Sequence, residues 1–278
     1  MDDTMMKLAF STLGCPNWPW KEIYAAAKDL GIDGIEIRGI ENEMYAPRVR
    51  IFDEANREKT LAQLGEANIA LTQLTSGAVL GTPEVAAAAR QEVLDYIEMA
   101  GKLKVPYIRV MISPRPDPEP VDLAAARKLY LDLCRAAKGT GVCLLIETNG
   151  DLADSDVMKD FMADTDPETA GVLWDIHHPY RFFRETPEYT FHNIGKYVKN
   201  THVKDSVYRD GKLTYRMMGY GDVPIFDALR TLRLAGYQGF ITLEWTKRWN
   251  KELQEPGIVF YHYVSYMKFL MEELEKEG

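Results

Sequence analysis

The chain has 278 residues, of which 46% are hydrophobic and 27% are charged, a composition that excludes disordered and fibrous proteins. Its 33 basic and 42 acidic residues give a net charge of −9. This balance argues against nucleic acid as a partner, because affinity for nucleic acid comes largely from clustered cations. No apolar run reaches the ~18 residues of a membrane span, so no membrane association is expected.

The first residues and the cysteines bear on the compartment of the protein. Residues 1–4 include two aspartates and lack the basic-then-apolar pattern of a secretion signal. The three cysteines are too few and too scattered for a disulfide framework or a zinc ribbon. We therefore expect a protein of the reducing cytoplasm. The sequence leaves a homo-oligomer open.

Eight short apolar runs alternate with helical patterns along the chain. Each run is rich in Ile, Val, Leu or Thr, which is typical of buried parallel strands. The predicted strands are residues 7–11, 34–38, 69–75, 107–112, 142–148, 171–176, 197–204 and 239–245. The predicted helices are residues 22–30, 54–68, 83–103, 122–141, 154–163, 188–195, 224–235 and 257–275.

This alternation predicts an α/β fold, a single (β/α)8 TIM barrel in which residues 1–278 form one domain. The alternative is a doubly wound open sheet, which would need a glycine-rich turn after an early strand. Residues 11–16 do not match such a turn. The proline-rich segment 114–120 is too short to separate domains, and we expect it to be a stiff loop on the active face.

Four potential metal ligands end four successive predicted strands. They are Glu147, Asp175, His202 and Glu244, and the C-terminal ends of barrel strands are where active sites lie. Three carboxylates in one ring repel each other, and a divalent cation relieves that repulsion. The alternative is that each carboxylate caps a helix or pairs with a nearby cation. Three oxygens and one nitrogen suit one Mn²⁺, Mg²⁺ or Co²⁺ ion, and Zn²⁺ is acceptable.

Other polar residues near these strand ends are candidates for substrate binding. His178 follows the sixth strand, and Lys204 lies two positions after the histidine ligand, on the same side of an extended strand. The alternative for Lys204 is a rim pair with Asp205. Arg109 lies inside an apolar strand, where a guanidinium is costly without a partner. A pair between Glu36 and Arg109 inside the barrel is as plausible as substrate contact.

Aromatic residues are frequent after the predicted strands. Aromatic faces line polar-ligand pockets well, although most such residues pack between loops. Trp245, next to Glu244, is the one that we predict to form a pocket wall. Tyr215 and Trp249 belong to the same group.

These segments resemble the xylose-isomerase-like barrel superfamily, which includes ketose 3-epimerases, hydroxypyruvate isomerase, inosose isomerases and dehydratases, and dehydroshikimate dehydratase. The resemblance is carried by Ile-Glu at 146–147, Trp-Asp-Ile-His-His-Pro at 174–179, Thr-His-Val-Lys-Asp at 201–205, Gly-Tyr-Gly-Asp-Val at 219–223 and Leu-Glu at 243–244. It spans essentially the whole chain. It implies one divalent metal held by Glu147, Asp175, His202 and Glu244, with proton transfer by the two glutamates in the epimerases.

The sequence differs from some members of this superfamily at positions that bear on its function. The related apurinic-site endonucleases use extra histidines for a three-zinc site. Here no histidine precedes His177 and none follows His202 until His262, which argues against DNA repair. Gly-Tyr-Gly at 219–221 replaces the Gly-Glu-Gly frequent in relatives, so we predict Tyr220 to be a specificity residue. An Arg on strand four and a Lys two past the metal His also occur in dehydroshikimate dehydratases.

The expected activity is metal-dependent proton abstraction next to a carbonyl of a small polyhydroxy substrate. Glu147 or Glu244 would be the base, and the enediolate would be stabilised by positive charge. Returning the proton to another carbon gives isomerisation, and returning it to the other face gives epimerisation. Loss of a β-hydroxyl would instead make the enzyme a lyase. A non-catalytic sugar-binding barrel is less favoured because the ligand set is complete.

The substrate is expected to be neutral or weakly acidic. Gly219-Tyr220-Gly221 is the only glycine-rich candidate for a phosphate site after strands seven and eight, and Asp222 beside it would repel a phosphate.

Overall fold

The computed structural model describes residues 6–277. The N-terminal residues, on which the expectation about a secretion signal depends, lie outside the described residues. Eight parallel strands form a closed barrel in chain order, and the last pairs with the first. They are β1 (Lys7–Ser11), β2 (Gly34–Ile37), β3 (Ala70–Val79), β4 (Tyr107–Met111), β5 (Cys143–Glu147), β6 (Ala170–Asp175), β7 (Val198–Val203) and β10 (Phe240–Leu243). Strands β8 and β9 form a separate hairpin between β7 and β10. The predicted (β/α)8 barrel is confirmed.

Eight helices surround the barrel at the predicted places, with ends shifted by a few residues. They are α1 (Trp20–Leu30), α2 (Arg57–Glu66), α3 (Ala86–Leu103), α4 (Leu123–Ala137), α5 (Ser155–Phe161), α6 (Pro187–Ile194), α7 (Ile225–Leu234) and α8 (Pro256–Lys276). Local chemistry sets several ends. Asp122 caps α4 by accepting a hydrogen bond from Ala125 N. Gly31 ends α1 in the left-handed conformation. Within the described range, no helix is apolar over a membrane's thickness.

The helices are fixed to the barrel by apolar packing and by buried tyrosines. Most strand residues are fully buried, as expected for strands covered on both faces. The Tyr130 hydroxyl of α4 donates to Leu144 O at 2.8 Å. The Tyr263 hydroxyl of α8 donates to Ile241 O at 2.5 Å. These bonds satisfy buried hydroxyl groups and attach helices to the strands that carry the site.

A β-hairpin follows β7, and the sequence analysis did not predict it. Its strands, β8 (Asp205–Arg209) and β9 (Lys212–Arg216), pair with each other and with no described barrel strand. The turn is Asp210-Gly211, with both residues at positive φ. Asp-Gly between extended segments is a strong hairpin signal.

The chain after the hairpin wraps around a buried carboxylate. Asp205 accepts hydrogen bonds from the backbone N–H groups of Gly219 at 2.9 Å, Gly221 at 2.8 Å and Val223 at 3.2 Å. A Cβ on Gly221 would collide with this carboxylate. The backbone donors that we considered as a phosphate site therefore already hold an anionic side chain.

The close approach at Gly221 makes this glycine important for stability. We expect Gly221→Ala to lower the free energy of unfolding by about 2–3 kcal/mol, because the new methyl group must displace Asp205 or the loop. The control is Gly65→Ala on exposed α2, where a Cβ meets no neighbour. That change should stabilise the protein by about 0.5–1 kcal/mol. Urea unfolding of both variants checks this, and equal effects would contradict it.

Candidate active site

Four predicted residues meet at the C-terminal face of the barrel. Glu147 ends β5, Asp175 ends β6, His202 lies on β7, and Glu244 follows β10. Asp175 and His202 are direct neighbours in the pairing of β6 with β7. All four side chains are buried, and one ligand atom from each lies within 4.8 Å of those from the others. The sequence prediction that these side chains converge therefore matches their placement.

The orientation of His202 fits a metal ligand. Its Nε2 lies 2.6 Å from Glu36 Oε2, and its Nδ1 has no hydrogen-bond partner among residues 6–277. Because a carboxylate only accepts, Nε2 donates, which leaves Nδ1 directed at the cluster, 3.5 Å from Glu244 Oε1. An outer carboxylate that orients a histidine is typical of metal sites. This nitrogen and three carboxylates are a donor set for Mn²⁺, Mg²⁺, Co²⁺ or Zn²⁺.

Burial lowers the pKa of His202, but Glu36 and Glu244 outweigh burial and raise that pKa to about 9. His202 would therefore have to release a proton before a cation could bind at Nδ1.

The pair between Glu36 and Arg109, one of the two alternatives for these residues, does not form. Glu36 bonds instead to His202 and to Gln73 Nε2, at 2.9 Å, across the interior of the barrel. Arg109 reaches to the neighbouring strand, where its Nη1 lies 3.4 Å from Glu147 Oε2. The reason is that β4 pairs directly with β5, whereas β3 lies between β4 and β2.

Lys204 points to the same side as His202, as the strand alternation predicts. Its buried ammonium contacts the Asp175 carboxylate and lies 2.5 Å from Glu244 Oε2. It does not pair with Asp205, whose carboxylate is held by backbone N–H groups. Burial opposes the charge of Lys204, but Asp175 and Glu244 outweigh burial and raise the pKa of Lys204 above its usual range. Lys204 is therefore a fixed positive charge inside the cluster.

The two glutamates have opposite environments. Burial raises the pKa of Glu147 to about 7, although Arg109 acts against it. Burial would also raise the pKa of Glu244, but Lys204 and His202 outweigh burial and hold it well below its usual range. Glu244 is therefore ionised near neutral pH, whereas Glu147 is near the midpoint of its titration.

His178 presents an unprotonated ring nitrogen near the cluster. Its Nδ1 donates to Thr148 O at 2.8 Å, and its Nε2 lies 3.6 Å from Asp175 Oδ2. Burial lowers the pKa of His178 to about 4, so the ring is neutral at physiological pH. A neutral Nε2 of this kind accepts a hydrogen bond, for example from a hydroxyl group.

A cavity of about 360 Å³ opens beside the cluster, which is the size of a small-molecule site. It brings together Arg109, His178, Lys204 and both glutamates. Pro114 and Pro116 place the proline-rich loop on this face. The lining residues are Leu13, Arg38, Arg109, Met111, Pro114, Pro116, Glu147, Asn149, His178, Lys204, Tyr215, Glu244, Thr246, Trp249 and Asn250.

The structure does not place Trp245 or Tyr220 at this cavity, contrary to the expectation from sequence. Trp245 follows an inward residue, so its side chain turns outward, where it is 1% exposed and its Nε1 donates to Gln254 O at 3.0 Å. Tyr220 is 65% exposed, with its ring 5.4 Å from that of His262. The loop aromatics that do line the cavity are Tyr215 and Trp249.

Sequence reasoning missed several lining residues that a simple pattern contains. Arg38, Asn149 and Thr246 each lie two positions after an inward carboxylate, and so on the same side of an extended strand. Lys204 follows His202 at the same spacing. Tyr215 depends on the hairpin, which brings its ring within 5.6 Å of the His177 ring.

Comparison with known proteins places this barrel among its relatives. A family model described as xylose isomerase-like TIM barrel matches residues 24–259. The chain belongs to this family. Among curated relatives, the fructoselysine 3-epimerase of Escherichia coli O157:H7 is 26% identical over 257 residues, covering 86% of this chain and 90% of the relative. The fructoselysine 3-epimerase of Shigella flexneri is 25% identical, covering 98% and 100%.

Solved structures of this family share the fold. D-psicose 3-epimerase from Clostridium cellulolyticum H10, solved with D-tagatose, has a TM-score of 0.75 at 17% identity, covering 97% of this chain and 99% of that one. A probable 3-DHS dehydratase from Bacillus anthracis has a TM-score of 0.76 at 14% identity, covering 95% and 99%. A Mycobacterium smegmatis barrel in complex with magnesium scores 0.73 at 14% identity, covering 99% of each chain.

Proposed function

We propose that this chain is a divalent-metal-dependent isomerase or epimerase of a sugar or keto-polyol. The observation that carries the proposal is the convergence of Glu147, Asp175, Glu244 and the unpartnered Nδ1 of His202. The curated 3-epimerases that the chain resembles over most of its length support this enzyme class. The size of the adjoining cavity supports a small polyhydroxy carbonyl compound as the partner.

The same four residues would hold one divalent ion, for which Mn²⁺, Mg²⁺ and Co²⁺ suit the donor set and Zn²⁺ is acceptable. When bound, such an ion polarises a carbonyl and an adjacent hydroxyl and so acidifies the neighbouring C–H. The three free cysteines are buried, which supports a reducing compartment such as the cytoplasm.

The proposed chemistry assigns the proton transfers to Glu147 and Glu244. Glu147 ends β5 and Glu244 follows β10, and these strands are three steps apart on the eight-stranded rim. Each glutamate can therefore serve one face of a substrate between them. One removes the proton next to the carbonyl, and the other returns a proton to the opposite face. Arg109 beside Glu147 and Lys204 beside Glu244 supply positive charge for the enediolate. His178 Nε2 can accept a hydrogen bond from a substrate hydroxyl.

A lyase is the second candidate. Arg109 and Lys204 both line the cavity, and these residue types at these positions resemble those of dehydroshikimate dehydratases. They support dehydration of a keto-sugar, keto-cyclitol or dehydroshikimate-like compound. Loss of a β-hydroxyl from the same enediolate would give that product. The complete ligand set argues against a non-catalytic sugar-binding barrel.

A substrate panel separates these candidates. Mn²⁺-loaded protein is incubated with ketoses, keto-cyclitols and dehydroshikimate, and products are identified by NMR and ultraviolet absorbance. We expect an epimeric or isomeric sugar. A conjugated, ultraviolet-absorbing product would assign the lyase instead. Stoichiometric binding of sugars without any product would support the sugar-binding barrel.

Glu36 gives a test of the metal site that does not depend on knowing the substrate. Because the Glu36 carboxylate accepts from His202 Nε2 more strongly than a neutral amide does and adds negative charge beside the site, we expect Glu36→Gln to weaken Mn²⁺ binding by ~10–100-fold. Titration calorimetry measures the effect. Glu66→Gln on the exposed part of α2 is the matched control and should bind like the wild type. Unchanged affinity in Glu36→Gln would remove this role of Glu36.

A further inference from the structure

Arg109 carries unused hydrogen-bonding capacity inside the cavity wall. Its side chain is buried, and its Nε and Nη1 have no hydrogen-bond partner among the described residues. Its one ion pair is the 3.4 Å contact with Glu147. A buried guanidinium is costly without partners. If Glu147 serves as a metal ligand and base, its charge is shared with the ion, and Arg109 is left without a dedicated counter-charge.

Arg38 is a second guanidinium at the same cavity. Among residues 6–277 its side chain makes one hydrogen bond, from Nη1 to Met44 O at 3.4 Å, and no ion pair. The nearby Glu92 is engaged by Gly77 N at 2.6 Å. Burial, and then the positive charge of Arg109, lower the pKa of Arg38 to about 10. Arg38 and Arg109 both line this cavity, so their two positive charges face the same space.

We propose that Arg38 and Arg109 form an anion subsite, so that the substrate carries a carboxylate or phosphate besides its carbonyl and hydroxyls. This proposal rests on the function proposed above and changes the expectation of a neutral or weakly acidic substrate. An anion bound in the cavity would offset both positive charges and accept hydrogen bonds from the guanidinium N–H groups that face it. The planar donor fork of arginine matches both carboxylate and phosphate oxygens.

The rest of the cavity favours these two residues as the anion site. The backbone N–H groups of the glycine-rich loop at 219–221 are all engaged: those of Gly219 and Gly221 donate to Asp205, and that of Tyr220 donates to Met217 O. The Lys204 ammonium already donates to two carboxylates, Asp175 and Glu244. Of the three cationic side chains that line the cavity, Arg38 and Arg109 are thus the two with donors to spare.

Three probes with the same carbon skeleton test the subsite: ribitol, D-ribonate and D-ribitol 5-phosphate. Calorimetry on the full chain with one equivalent of Mn²⁺ gives the affinity of each. We expect ribonate or ribitol phosphate to bind at least ~10-fold more tightly than ribitol, the effect of one hydrogen bond to a charged group. The better of the two anions then identifies the group as a carboxylate or a phosphate.

Substitutions of Arg38 test whether this residue causes the preference for the anionic probes. Arg38→Gln should bring the ratio of anion affinity to ribitol affinity close to one, whatever its effect on ribitol binding itself, and Arg38→Lys should keep part of the preference. Arg50→Gln, an exposed arginine away from the cavity, is the matched control. Equal binding of all three probes, or a preference that survives in Arg38→Gln because the anion chelates the metal, would overturn the subsite. Failure of the proposed function is seen separately, as ribitol binding that does not depend on Mn²⁺.

Discussion

Glu147→Gln and Glu244→Gln are each expected to lower turnover by at least ~100-fold, the usual cost of losing a general base. Glutamine keeps the size of the side chain and one oxygen, but it cannot accept the proton. The two variants should differ in kind, because Glu147 lies beside Arg109 and Glu244 beside Lys204. In a two-base epimerase, each variant loses the proton transfer at one face of the substrate.

Metal content has to be measured alongside turnover, because both glutamates are proposed ligands. Atomic absorption on the purified variants gives the bound metal, and NMR gives solvent-deuterium exchange at the substrate carbon. Glu98, whose side chain is exposed on α3, gives a matched control: Glu98→Gln should behave as the wild type. If both active-site variants kept metal and exchanged at the wild-type rate, neither glutamate would be the base. His178 or Lys204 would then be the candidate.

His202→Ala is expected to weaken Mn²⁺ binding by more than the ~10–100-fold that loss of an outer partner costs. The effect also appears in stability. Mn²⁺ at a hundred times its Kd should stabilise the wild type by about 2.7 kcal/mol, and His202→Ala should lose that gain at the same concentration. Calorimetric titration and thermal unfolding with and without Mn²⁺ measure both quantities.

His192→Ala is the control, since His192 is an exposed histidine on α6. His202→Ala also removes the hydrogen-bond donor of buried Glu36, which could prevent folding. Asp175→Asn, which keeps the shape of the side chain, is therefore measured as a second variant. Wild-type Mn²⁺ affinity in both His202→Ala and Asp175→Asn would place any metal elsewhere.

The ligand candidates could be found from the sequence because each ends or closes a buried strand. Parallel strands bring their C-terminal ends to one face, so adjacency around the barrel follows from chain order. Asp175 and His202 illustrate this, since they are direct neighbours in the pairing of β6 with β7. Lys204 followed in the same way from the alternation of an extended strand.

Contacts across the barrel interior could not be found in this way. Glu36 and His202 lie on β2 and β7, which are separated by β1 and β10 in the order of strands, and their contact depends on how deep each side chain lies. A buried Arg109 requires a partner, but the sequence does not say which carboxylate it reaches. The position of Trp245 does follow from the sequence. Because it alternates with the inward-facing Glu244, its side chain must face outward.

Metal-dependent proton abstraction next to a carbonyl exposes the substrate carbon to exchange with solvent. The decisive measurement is the incorporation of solvent deuterium at that carbon, followed by mass spectrometry and NMR for a converted ketose. For epimerisation with two bases we expect one deuterium per turnover, loss of incorporation when a chelator removes the metal, and recovery when Mn²⁺ is added back. Epimer that forms without deuterium, or incorporation that continues at full rate after the metal is removed, would rule this mechanism out.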